Sequence, residues 1–325
     1  MTKRNSFYSP TIFEQVNKEN TALLNDYILE LKSKRKSEGT IYQYASDIKM
    51  FFCWAFNNLN NKFVLDMKKR DFRRFFLELQ ESGASAARIN RVQCSLRNML
   101  EFASEDEDEY DYPINVMKNI KGLQKEEVRE IHFLTDEQID IILNYLINKK
   151  QYQKALYLSL SYESAGRRNE VFQVLKEGFL ENNKTNIVQG KRGKKFQLLY
   201  FSRSKEIAKL YFEQRGSDDI DSLWIVGKGE DRRPAQYETL YNWCMSFRKI
   251  LFKETGELIE FNPHSFRHSS LTNYENGTHY VLKELGKEKL ELNVLKTLAN
   301  HSDISTTQSY LPNKDAEILA EAFGL

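Results

Sequence analysis

The sequence predicts a mainly α-helical protein of two domains, with one small β-sheet in the second. Three observations lead there. Apolar residues recur at helical spacing four times between positions 20 and 104. An acidic, proline-containing stretch without periodicity follows, over 105–130. A second helical region then starts at Thr135 and is interrupted once, by β-prone runs within 178–201.

Taken in order, Leu23, Leu24, Tyr27, Ile28 and Leu31 form the first apolar row, which stops at the basic run Lys32–Lys36. Thr40 is expected to cap a second helix carrying Ile41, Tyr44, Ile48, Phe51, Phe52 and Ala55. Phe72, Phe75, Phe76 and Leu79 mark a third, ended by Gly83, and Ser85 opens a fourth through Ile89, Val92, Leu96, Met99 and Leu100. The expected division is a helical domain over 1–110, a linker over 111–130 and a second domain over 131–325. Glu105–Glu109 reads as a solvated acidic loop, and Pro113 ends any helix there. Thr135 and Gln138 have capping-box spacing. In the β-prone region Asn183 and Gly190–Gly193 supply turns, and Phe196, Leu198 and Tyr200 alternate with Gln197, Leu199 and Phe201. At the end of the chain Pro312 breaks the backbone, and Asn313 can cap a short tail helix over Lys314–Phe323. One side of that helix would carry Ile318, Leu319, Ala322 and Phe323.

Composition narrows the class. A chain of 325 residues, 41% hydrophobic and 29% charged, can build two apolar cores. No apolar run approaches the roughly 18 residues of a membrane span. No apolar signal core follows Met1–Asn5, so a cytoplasmic protein is expected. Cys53, Cys94 and Cys244 are odd in number and scattered, which suits reduced thiols better than disulfides or a zinc site. Net charge is only +2, but the acidic run masks a basic excess in the first hundred residues, the sign that phosphate binding favours.

The chemistry-bearing residues fall late in the chain. In His264-Ser265-Phe266-Arg267-His268 the first histidine and the arginine are one helical turn apart and can share a face. A guanidinium fork matches a phosphate bidentately. Tyr310 follows His301 by nine positions, and a phenol can attack a phosphodiester if cationic donors hold the phosphate oxygens. Upstream lie Ser164-Ala165-Gly166-Arg167-Arg168-Asn169-Glu170 and the basic turn Gly190-Lys191-Arg192-Gly193-Lys194-Lys195. His264 and His268 also have a metal-ligand spacing, but no good third ligand accompanies them. His132 and His279 have no such context and read as surface or packing residues.

In this order the motifs resemble those of the tyrosine recombinases of the phage-integrase type, in an Xer-like two-domain layout. The resemblance implies a SAM-like, DNA-binding N-terminal domain and an α+β catalytic domain. It implies Tyr310 as nucleophile, with Arg167, Arg267 and His301 on the phosphate oxygens and His264 assisting proton transfer. Lys191, with Lys194 in reserve, would be the general acid, and Glu170 and His268 would support the others. Arg168 would serve the surface or the DNA backbone. The implied reaction breaks and rejoins DNA through a 3′-phosphotyrosyl bond and a Holliday junction, with no cofactor and no metal. The implied partners are double-stranded DNA sites, each bound by a dimer and paired in a homotetramer, with an accessory DNA-bending protein as a further candidate. The implied setting is the bacterial nucleoid or a mobile element. A type IB topoisomerase and a catalytically silent DNA-binding relative are the alternatives. The stretch 278–293 is longer than in compact members and is expected to extend a loop or helix.

Overall fold

The structure, a computed structural model, describes residues 7–124, 132–179, 183–301 and 303–308. Tyr310 and the expected tail helix lie outside the described residues. The chain divides into two compact units, Met1–Glu130 and Ile131–Leu325.

The first unit is helical. It consists of α1 (Pro10–Phe13), α2 (Lys18–Ser33), α3 (Glu38–Asn58), α4 (Lys69–Glu81) and α5 (Ala86–Glu105). The four apolar rows read from the sequence converge on one core, in which Phe51 stacks on Phe72 at 5.1 Å and meets Phe75 edge-on at 5.0 Å. Gly83, at φ 85°, supplies the left-handed residue that ends α4. Ser85 caps α5 through the Arg88 amide. Ser37, not Thr40, caps α3: its hydroxyl accepts the Thr40 N–H, so Thr40 already lies in the first turn.

The expected linker is also different through Gln124. Tyr112, Met117 and Ile120 are buried in the helical core. The backbone between them is held by side chains: Arg97 donates to the Ile120 carbonyl at 2.7 Å and Asn90 to that of Leu123 at 2.8 Å. Asn115 donates to Glu101 at 2.6 Å. The segment is a strap on the unit, without the periodicity of a helix or strand because side chains, not a backbone ladder, fix it.

The second unit surrounds α7 (Tyr152–Glu163), whose residues from Ala155 onward are all buried. Before it comes α6 (Asp136–Asn148), opened by the expected capping box of Thr135 and Gln138. After it follow α8 (Arg168–Phe172) and the antiparallel pair β1 (Lys184–Gln189) and β2 (Lys195–Leu199). Next are α9 (Ser202–Arg215), a second small pair of β3 (Ile225–Val226) and β4 (Arg233–Pro234), and α10 (Tyr237–Thr255). The described part closes with α11 (Pro263–Asn276), α12 (Val281–Leu285), α13 (Leu292–Leu298) and α14 (Ile304–Gln308). The stretch 278–293 is not a projecting loop. Val281, Leu282 and Leu290 pack with Leu271, Tyr274 and Leu295 in a core cluster of their own. His279 is sandwiched between Tyr162 at 4.1 Å and Tyr274 at 3.7 Å, a packing role, whereas His132 is exposed.

One buried carboxylate joins the two longest helices of the first unit. Asp47 of α3 is 2% exposed and takes a bidentate pair of bonds from Arg91 of α5, both at 3.1 Å, and a third at 3.1 Å from Ser95. Asp47→Ala should lower the stability of the helical unit by about 1.5–3 kcal/mol, seen as an earlier urea transition in Trp54 fluorescence. Arg91→Ala should cost more than this only if the bare carboxylate cannot rehydrate.

Candidate active site

α7 ends at Glu163, and the turn that follows places Ala165 at φ 49°, an uncommon conformation for a residue with a side chain. That turn delivers Arg167 to the start of α8. Glu170, buried one turn later, binds Arg167 twice: Oε2 accepts its backbone N–H at 2.8 Å and Oε1 its Nη1 at 2.8 Å. Both backbone and guanidinium of Arg167 are therefore fixed by one carboxylate. Arg168 turns elsewhere and lies flat on the ring of Tyr237 at 3.8 Å.

The β1–β2 hairpin comes in beside Glu170. Gly190 allows this: a Cβ there would stand 2.7 Å from the Phe196 ring and 3.2 Å from Glu170 Oε1. The tip is a single turn over Lys191–Gly193, closed by the bond from Gly190 N–H to the Lys194 carbonyl at 2.8 Å.

α11 begins with Asn262, whose side chain accepts the His264 N–H at 2.9 Å, and with Pro263 at its first position. His264 and Arg267 then stand one turn apart, as their spacing requires. Arg267 is buried, at 1% side-chain exposure. Its Nη1 donates to the Ala165 carbonyl at 2.7 Å, and its Nη2 to the Ala299 carbonyl and to His301 Nε2, the latter at 2.7 Å. Glu170 Oε2 lies 4.0 Å from its Nη1. His268 sits against His264 and Phe133.

His301 follows Asn300, which takes the left-handed conformation (φ 55°) after α13. An arginine can only donate, so His301 Nε2 accepts from Arg267, and Nδ1 carries the proton toward Thr307 Oγ1 at 2.9 Å. The ring is neutral in this arrangement. Burial first, then Arg267, Arg167, His264 and Lys194, push its pKa down to about 3. His264 is pushed down to about 4, by burial and then by His268, Arg267 and Arg167. The His264 residue as a whole is exposed, so solvent tempers that shift.

These elements enclose a cavity of about 490 Å³. Arg167, Glu170, Lys191, Lys194, His264 and His301 all line it, joined by Asn300, Asp303 and Thr306. Arg267 lies directly behind the lining. No spacing in the sequence marks Thr307 as the partner of His301, or the carbonyls of Ala165 and Ala299 as partners of Arg267. The Ser/Thr-rich stretch before Tyr310 was the one signal that pointed near Thr307. Two arginines and two lysines against the carboxylates of buried Glu170 and exposed Asp303 leave a net positive site that can receive an anion, and the guanidinium of Arg167 suits a phosphate.

The geometry defines a cavity lined by cationic side chains on the second, mainly helical unit, and comparison with known proteins gives the family. Residues 132–317 match the Phage integrase family, and residues 24–107 match the phage integrase N-terminal SAM-like domain. The chain belongs to the phage integrase family. It is 27% identical to the SPbeta prophage-derived recombinase-like protein YomM of Bacillus subtilis, over 94% of this chain and 91% of that one. It is also 27% identical to tyrosine recombinase XerC of Treponema denticola, over 84% and 88% of the two chains. Among solved structures, the fold is similar to a lambda integrase dimer bound to a COC′ core site, with a TM-score of 0.66 at 16% identity, covering 95% of this chain and 83% of that one. It is equally similar to XerH recombinase bound to a palindromic difH substrate, with a TM-score of 0.66 at 18% identity, covering 99% and 91%.

The depressed pKa of His301 has a consequence for stability. A histidine whose folded pKa lies below its unfolded value of 6.5 binds protons more readily once unfolded. Its contribution is intact above 6.5 and is lost as pH falls through the window from 6.5 to about 3. The unfolding midpoint of the catalytic unit should drop over that window, with a shallower slope in His301→Gln. Equal slopes in the two proteins would mean that the acid sensitivity arises elsewhere.

Proposed function

We propose that the protein is a site-specific DNA recombinase that cleaves and rejoins double-stranded DNA through a 3′-phosphotyrosyl intermediate. The observation that carries this reading is the single cavity shared by Arg167, Lys191, Lys194, His264 and His301 with Arg267 behind it. The matched families, which fall on both units, support a recombinase over the topoisomerase alternative.

In this reading the phenol of Tyr310 attacks the scissile phosphate, the bond to the 5′ oxygen breaks, and the tyrosine holds the 3′ phosphate until a 5′ hydroxyl attacks in return. Arg167, oriented by Glu170, binds a non-bridging oxygen as negative charge builds. Arg267 contributes charge from behind and fixes His301. Neutral His264 can take part in moving the tyrosine proton. A lysine of the hairpin protonates the departing 5′ oxygen; Lys191 is assigned that role, and Lys194 lines the same cavity. The bond energy is kept in the phosphotyrosine, so the cycle requires neither nucleotide hydrolysis nor a metal. Pairing of two DNA sites by four protomers belongs to the same reading.

Incubation with a nicked suicide DNA substrate tests it. The wild type should form a covalent protein–DNA adduct in the presence of chelator, and Tyr310→Phe should bind the DNA equally well yet form none. Arg167→Ala should slow adduct formation by about 10²–10³, the usual loss for one charged donor to a developing anion. Adduct formation by Tyr310→Phe at the wild-type rate would end the assignment.

The lysines are separated by a substrate whose leaving 5′ oxygen is replaced by sulfur, which departs without a proton. Lys191→Ala should be slow on the ordinary substrate and close to normal on the sulfur one, with Lys194→Ala affected less. The opposite ranking would transfer the general acid to Lys194.

A further inference from the structure

The start of α9 is held by two carboxylates to which the mechanism assigns no part. α9 follows β2 after two residues, so its first turn is the root of the hairpin that carries Lys191 and Lys194. The leading N–H groups of a helix have no partner within it. Glu163, the last residue of α7, accepts two of them: Phe201 N–H on Oε2 at 2.7 Å and Ser204 N–H on Oε1 at 3.1 Å. Glu284 of α12 accepts the Ser202 N–H at 3.3 Å and the Ser202 hydroxyl at 2.5 Å. The Tyr280 hydroxyl donates to Glu163 as well, and its ring carries the Arg203 guanidinium at 3.5 Å.

Glu163 is 0% exposed, and these partners and Ser159 are neutral donors. Arg203, the cation that bears on it, is paired with Asp140 at 2.6 Å. Burial raises the Glu163 carboxyl to about 7, against its hydrogen bonds from α9. A helix core would more simply hold an apolar residue at this point. What the acid accomplishes is geometric. It stands four positions before Arg167 and binds the segment that leaves the lysine hairpin, while Tyr280 and Glu284 bring the 278–293 stretch to the same place.

We propose that Glu163, braced by Tyr280 and Glu284, is a positioning residue that sets the lysine hairpin at its working distance from Arg167. The 278–293 stretch then serves as the outer half of that brace. The inference rests on the recombinase reading, and its test separates the two.

Glu163→Gln is the informative change: in either amide orientation an N–H of the new side chain faces an N–H of the first turn of α9. DNA affinity and the thermal midpoint are measured beside adduct formation on the ordinary and the sulfur-substituted nicked substrates. With affinity and fold retained, Glu163→Gln should lose on the order of tenfold or more on the ordinary substrate, as a misplaced catalytic group does, and should recover on the sulfur substrate. Wild-type rates in Glu163→Gln overturn the inference, and so does an equal loss on both substrates, because a general loosening is blind to the leaving group. If the wild type itself forms no adduct, the recombinase reading falls and the inference with it. Should Glu163→Gln fail to fold, Glu284→Ala at its exposed position carries the test. It should show a smaller loss, again recovered with sulfur, and an unchanged rate there overturns the brace.

Discussion

The buried guanidinium of Arg267 is the constraint on which the catalytic unit is built. A charge at 1% exposure is tolerable only where it is paired, and here Nη1 and Nη2 donate to parts of the chain far apart in sequence. The Ala165 carbonyl lies 102 positions before it, and the Ala299 carbonyl 32 positions after it. The first belongs to the turn that presents Arg167, the second to the end of the helix that presents His301. Arg267 thus draws three separate motifs to one point. Substitution by lysine would keep the charge and lose the fork that makes this bridging possible.

Electrostatics then decide the protonation of what surrounds it. Glu170 sits between the two arginines, 2.8 Å from one and 4.0 Å from the other, and offsets their repulsion. Burial first, and then cations on several sides, keep both cavity histidines neutral at ordinary pH. Arg167 therefore brings a fixed positive charge beside the neutral rings of His264 and His301. Donors held in place before the reaction cost no reorganisation during it, which is the advantage of anchoring Arg167 at both its backbone and its tip.

How far the sequence revealed this varies with the kind of bond involved. Helices α2 to α5 were legible because their apolar residues, among them Leu23, Phe51, Phe75 and Val92, recur with the helix, even though Met50–Ala55 of α3 are buried on every side. The strap over 110–124 was not, since Arg97, Asn90 and Asn115 hold it through backbone carbonyls and side chains that leave no period. In the site, the order of motifs brought Arg167, Lys191, Lys194, His264 and His301 to one cavity. The position of Arg267 behind that cavity was hidden, because two of its partners are carbonyl oxygens and any residue carries one. Glu163 was hidden too, in a helix whose neighbours are uniformly buried. The β3–β4 pair is only two residues per strand, too short to show an alternation.

The two sides of the cavity differ in how they are made, and the difference suits the tasks that the proposed function gives them. Arg167 is tied to Glu170, and Arg267 to the Ala165 carbonyl and to His301, by bonds of 2.7–2.8 Å. Lys191 and Lys194 stand on a one-turn tip, and both are exposed. A phosphate clamp gains from rigidity, because its charges must already be aligned when the phosphate becomes more negative. A proton donor to a leaving group has to approach late and withdraw, since the same oxygen must return as the attacking group on rejoining. A hairpin with a fixed root and a free tip meets both demands. Its root is held by carboxylates at the first turn of α9, and the tip beyond Gln189 is closed by the bond from Gly190 N–H to the Lys194 carbonyl. Tightening the tip would therefore favour cleavage over rejoining only if it held the lysine in one protonation state, whereas loosening the root would weaken both directions alike.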